Sequence, residues 1–190
     1  QSILVSDLTS LQTIYAYIDE NVDEHVKKIQ KFIQQPSVSA TGQGIQECAS
    51  ILQDELTEIG FQKIELFQPK GRHPLIYGEY DAGAKKTLMI YLMYDTQPAD
   101  EDGWISPPFE ARLVDKPPFG KCVIGRGTFN SKGPLMGFLN ALRSIKAMKS
   151  DLPVNLLITA EGEEELGSLA LTSFINERKS ELPKADAAYF

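Results

Sequence analysis

The amino-acid sequence predicts an α/β fold in which a mixed, mainly parallel sheet is flanked by helices on both faces. Two observations carry that expectation. Segments with helical spacing alternate along the chain with short runs of β-forming residues. Two of those runs, TLMIYLMY (87–94) and PVNLLITA (153–160), are apolar on both faces, as central strands covered by helices are.

In chain order, residues 7–34 set Leu8, Leu11, Ile14, Tyr15, Ile18, Val22, Val26, Ile29 and Ile33 at helical intervals, with Ser6 or Asp7 able to cap the start. Pro36 in QQPSVSATG breaks the pattern. Gln46–Ile59 resumes it, and Gly60 follows where a left-handed C-terminal cap belongs. FQKIELF (61–67) alternates like a half-exposed strand, and PLIYGEY (74–80) is a further β-rich run. The prolines of QPADEDGWISPPFEA (97–111) hold an ordered surface loop, in which Trp104 and Phe109 either wall a cleft or pack. Short strands are expected at 111–115 and 121–124. Lys132–Lys149 is helical, with Leu135, Phe138, Leu139, Leu142 and Ile145 along one face. A helix at Leu169–Glu177 and a strand at 185–190 complete the alternation.

The 26 acidic against 19 basic residues give a net charge of −7, so the basic footprint of a nucleic-acid or anionic-membrane binder is missing. Two cysteines, Cys48 and Cys122, without CxxC spacing fit a reducing compartment, and cytoplasm is the expectation. The longest strongly apolar run, Leu88–Tyr94, falls far short of the roughly 20 residues that cross a bilayer, so a soluble protein is expected. Its 190 residues suffice for one domain or part of a larger one. The chain opens on Gln1 rather than Met and closes on ADAAYF, a strand in progress, as a fragment would.

In open α/β sheets ligands gather beyond the carboxyl ends of the strands. Three polar clusters sit there: Asp95 in YLMYDTQP (91–98), GRGTFNSKG (125–133), and EGEEELGS (161–168). Glu161, Glu163, Glu164 and Glu165 fall within five residues, where like charges raise one another's pKa unless they share a cation. A solvated acidic loop is the other reading of that segment. GRGTFNSKG is not a phosphate loop, because serine rather than glycine precedes its lysine. Its glycines permit a tight turn into the helix near Lys132, where Asn130 could cap and Lys132 could fix the loop. His25 and His73 read as structural or surface residues, and Gly162 and Gly167 as servants of the backbone turn.

YDTQPADEDGWISPPFEA, GRGTFNSKGP and EGEEELGS, in that order, resemble the zinc-dependent aminoacylase and dipeptidase family of metallopeptidases. That family includes carnosinase, cytosolic non-specific dipeptidase, succinyl-diaminopimelate desuccinylase and acetylornithine deacetylase. The resemblance runs from about Val22 to Phe190. It implies a zinc-exopeptidase-like catalytic domain, of which residues 1–190 are the N-terminal part. The lid domain and the C-terminal part would lie outside this chain, as would the last carboxylate and histidine ligands. It further implies hydrolysis of an amide bond in a dipeptide or N-acyl amino acid, with Glu164 as general base and Glu165 as metal ligand.

Two positions depart from the family pattern. Its first motif reads His, any residue, Asp; here Met93 stands at the histidine and Asp95 keeps the carboxylate that orients it. Asn130 stands at the aspartate that bridges two ions. A thioether is a soft, neutral donor, and an amide brings one uncharged oxygen. One divalent ion, zinc by family, is therefore expected rather than two, or none. The runner-up is a relative that has lost catalysis and binds a small molecule or a partner subunit. The resemblance also implies a possible homodimer through the absent lid and a cis peptide bond from Asn130 to Ser131.

Overall fold

The computed structural model describes residues 2–100, 102–148 and 152–190, with side chains described from residue 11 onward. The Leu8, Ser6 and Asp7 side chains and Lys149, all used above, lie outside the described residues. The elements run α1 (Ser2–Glu20), α2 (Val22–Gln34), α3 (Ile45–Ile59), β1 (Lys63–Phe67), β2 (Leu75–Tyr80), β3 (Thr87–Met93), β4 (Arg112–Asp115) and β5 (Lys121–Ile124). They continue with α4 (Lys132–Ala147), β6 (Asn155–Glu161), a 3-10 turn (Glu164–Leu166), α5 (Leu169–Arg178) and β7 (Ala187–Tyr189).

The helical pattern over 7–34 divides at Asn21. Its side-chain amide donates to the Tyr17 carbonyl at 2.8 Å, a local bond that competes with continued helix. Leu11, Tyr15 and Val22 are exposed, whereas Phe32 and Ile33 of α2 are buried. Gly60 closes α3 in the left-handed region at φ 100°, as expected.

One five-stranded sheet has the order β1-β2-β6-β3-β7, and β4 and β5 form a separate hairpin. β1–β2 and β2–β6 are antiparallel; β6–β3 and β3–β7 are parallel, so the sheet is mixed. The two doubly apolar runs are the adjacent strands β3 and β6. Ile76, Ile90 and Ile158 bury one face against α3 and α4, while Leu75 and Tyr77 pack with Phe174 of α5 on the other. Helices thus cover both faces.

This topology positions the site. Parallel β3 and β6 end together, with Met93 opposite Glu161, and antiparallel β2 begins at the same edge, with Leu75 opposite Glu161. Three chain segments therefore meet at one sheet edge: the exits of β3 and β6 and the turn entering β2.

Candidate active site at the strand ends

Asp95, two residues beyond β3, is fully buried. Its Oδ1 accepts the Glu164 N–H at 3.1 Å and its Oδ2 the Glu165 N–H at 3.1 Å. Both oxygens thus hold the 3-10 turn that follows β6. Burial pushes the Asp95 carboxyl above the usual range, and the N–H groups of Glu165 and Glu164 pull back toward the ionised form.

The acidic run is not a wet loop. Glu161 and Glu163 are 0% and 1% exposed. Glu163 accepts the His73 backbone N–H at 2.9 Å and Arg72 Nη1 at 3.2 Å, which ties the turn before β2 to the exit of β6. The His73 ring meets the Ser39 carbonyl at 2.8 Å, a structural contact as expected. Oε1 of Glu161 accepts the Tyr91 hydroxyl and, at 2.8 Å, the Ser168 hydroxyl. Its Oε2 is buried without a hydrogen-bond partner. Burial raises the Glu161 carboxyl, and the nearby Asp95 and Glu164 charges add to the rise against the two hydroxyl donors.

Glu164 and Glu165 are the partly exposed members of the run. Slight burial and the charges of Glu165 and Asp95 raise the Glu164 carboxyl. Glu165 Oε2 accepts the exposed Gln97 amide at 2.8 Å.

Met93 and Asn130 line one cavity of about 530 Å³ with Tyr91, Ser131 and Phe138. Asn130 does not cap α4; Ser131 occupies the N-cap position, without a side-chain cap bond. The Asn130–Ser131 bond is not cis, the cis peptide among the described residues being Pro117–Pro118. Lys132 is fully buried and donates to the Phe32 carbonyl at 3.3 Å and to that of Gln35, fastening the start of α4 to the end of α2. Trp104 and Phe109 do not line the cavity; Trp104 lies under the Arg126 guanidinium, 5.3 Å from its ring centroid.

Gly162 has a reason other than a turn. A Cβ there would come within 2.5 Å of the Tyr94 hydroxyl oxygen, and Tyr94 is fully buried. Gly167, at φ 94°, does have the left-handed turn the sequence suggested. Sequence reasoning missed Tyr91, Ser168 and Arg72. Tyr91 was within reach, since it shares a strand face with Met93 two residues on.

Donor chemistry tests how a divalent ion would fit. Glu165 offers a charged oxygen whose partner, an exposed amide, is exchangeable. The Met93–Asn130 side offers a thioether and an amide and brings no negative charge. Among the described residues no group of three or more His, Cys, Asp or Glu side chains could hold a metal ion. Of these two sides, the donor chemistry at Glu165 suits a divalent ion better than that at Met93.

Residues 89–189 match the model of peptidase family M20/M25/M40. The Cys-Gly metallodipeptidase dug1 of Schizosaccharomyces pombe is 36% identical over 93% of this chain and 39% of its own length. Human Beta-Ala-His dipeptidase is 32% identical over 89% of the chain and 36% of its own. Among solved structures, human carnosine dipeptidase 1 matches with a TM-score of 0.82 at 28% identity, covering 94% of this chain and 40% of that one. The di-peptidase Dug1p of Saccharomyces cerevisiae matches at 0.81 and 31%, with the same coverage. The chain spans about two fifths of the length of these relatives. It belongs to peptidase family M20/M25/M40.

Proposed function

We propose that this chain is the N-terminal part of the catalytic domain of a metal-dependent hydrolase that cleaves the amide bond of a dipeptide or N-acyl amino acid. The lid domain and the rest of the catalytic domain lie outside it. One observation carries the reading: Asp95 grips two successive N–H groups and so presents Glu164 and Glu165 side by side at the strand ends. The relatives named Cys-Gly metallodipeptidase and Beta-Ala-His dipeptidase support a peptide substrate.

Glu165 would hold a divalent ion, zinc by family likeness and one rather than two. Such an ion supplies polarisation of the scissile carbonyl and of a water. Glu164 would accept a proton from the attacking water and pass it to the departing nitrogen. Its raised carboxyl suits both halves of the transfer, since a general base works best with a pKa near the operating pH. Asp95 does not react; it fixes the turn, and with it the spacing of the two glutamates. In this chain it has no imidazole to orient at residue 93. Free Cys48 and Cys122 support a reducing compartment, the cytoplasm. No described helix is long and apolar enough to cross a membrane. A homodimer through the lid is part of the same proposal.

A second reading, a relative without catalysis that binds a small molecule or partner subunit, is favoured by the uncharged side chains at Met93 and Asn130. Metal analysis of the full-length protein separates the two. One divalent ion per chain, lost on Glu165→Ala, is the result expected of the hydrolase. No ion under any metal supply would leave the binding protein.

A further inference from the structure

We infer that the pocket between the first turns of α2 and the last turns of α3 and α4 binds a small organic oxyanion, a carboxylate or phosphate ester carried on an aromatic body. The inference stands apart from the hydrolase reading and from the strand-end site.

Position separates the two places. α4 begins at Lys132 beside the strand ends and finishes at Ala147, which lines this pocket, about 22 Å away along the helix at 1.5 Å per residue. The pocket holds about 410 Å³, the size of a small-molecule site. Its described lining runs in sequence from Tyr17 to Ala147 and includes neither end of the chain.

Positive charge gathers here against the trend of the molecule. The chain carries a net charge of −7, yet Lys28 of α2 and Arg143 and Lys146 of α4 converge on this pocket. Two carboxylates share the lining, and each is already turned to a lysine: Glu24 to Lys27 at 2.6 Å and Glu58 to Lys28 at 3.2 Å. Glu55 pairs with Arg143. With Lys27, four cations thus face three carboxylates.

The Arg143 guanidinium is incompletely satisfied. Its Nη1 donates to Asn140 Oδ1 at 3.1 Å, but its Nε is buried without a hydrogen-bond partner. Glu58, 3.8 Å from Nη2, is beyond hydrogen-bond reach. A buried donor left unpaired is costly, and a planar oxyanion is what the fork of an arginine accepts. Glu58 is 61% exposed, so an incoming oxyanion displaces it from Lys28 at the expense of a weak surface pair. Lys146 gives one proton to the Ile59 carbonyl and has two more to offer. The rings of His25 and Tyr17, with centroids 6.4 Å apart, form with Ile59 a flat wall for an aromatic body. Burial, then the charges of Arg143 and Lys28, hold the His25 imidazole below its ordinary pKa, so this wall is neutral at pH 7.

Calorimetric titration of the full-length protein in chelator tests the pocket, with phenyl phosphate, benzoate and the neutral isostere benzyl alcohol as probes. Saturable binding of an anion, at least about tenfold tighter than benzyl alcohol, is the expected result. Either order of the two anions upholds the site, phenyl phosphate ahead assigning a phosphate ester and benzoate ahead a carboxylate. Lys28→Gln and Lys146→Gln should each weaken the binding, and Glu58→Gln, which removes the competing carboxylate, should tighten it. All three positions are partly or well exposed; should one variant fail to fold, the remaining two decide. Equal affinity for benzyl alcohol, no anion binding, or affinities unmoved by the substitutions would overturn the inference.

Discussion

Two regions beyond the ends of β3 and β6 are built from opposite chemistry, and none of the acids of the first lines the cavity of the second. On the turn side, Asp95, Glu161 and Glu163 are all buried, and each is held by donors from the chain: backbone N–H groups, hydroxyls or a guanidinium. On the cavity side, Met93, Asn130 and Ser131 bring no charge at all. The contrast teaches where a buried carboxylate can persist. It is retained where the fold itself supplies donors; on the cavity side, residue 130, where the family pattern has a carboxylate, is an exposed amide.

The turn side should be the more fragile under mutation. Asp95→Ala removes two bonds to a charged acceptor and frees two N–H groups, and should cost on the order of 3 kcal/mol in denaturant unfolding. A loss below half a kcal/mol would mean the turn does not depend on Asp95. The cavity side should gain instead of lose. Met93→His with Asn130→Asp should tighten divalent-ion binding roughly 100-fold or more, above the 10–100-fold typical of lost outer-sphere support, measured by metal titration of the full-length protein. Unchanged affinity would break the comparison.

Gly162→Ala should cost about 1–3 kcal/mol, because the new methyl meets the Tyr94 ring in a packed interior. The smallest effect is expected at Glu161. Its carboxyl is raised by burial, so its contribution to stability is full below the ordinary carboxylate range and is lost as pH rises through the raised value. Glu161→Gln should therefore flatten the fall in melting temperature from pH 4 to pH 8 and leave the protein no less stable at neutral pH.

Much of this architecture was legible in the sequence because it rests on short-range regularities. The doubly apolar runs at 87–94 and 153–160 identified the adjacent strands β3 and β6. Pro36, Gly60 and Gly167 marked breaks through their own backbone preferences. What escaped depends on contacts between distant residues. Gly162 is required by the ring of Tyr94, 68 positions earlier, and nothing local signals it. The Glu161–Glu165 run looked uniformly polar, yet alternate members turn inward to Tyr91, Ser168, Arg72 and His73. The helix cap passed from Asn130 to Ser131, a shift of one residue that leaves Asn130 facing the cavity.

The most direct measurement is peptide hydrolysis by the metal-loaded full-length protein beside its Glu164→Gln variant, with melting temperatures recorded for both. A rate lower by roughly 10²–10⁴-fold in the variant, at unchanged stability, is the expected result. Equal rates would contradict the role given to Glu164 and, with it, the assignment of this turn as the catalytic one.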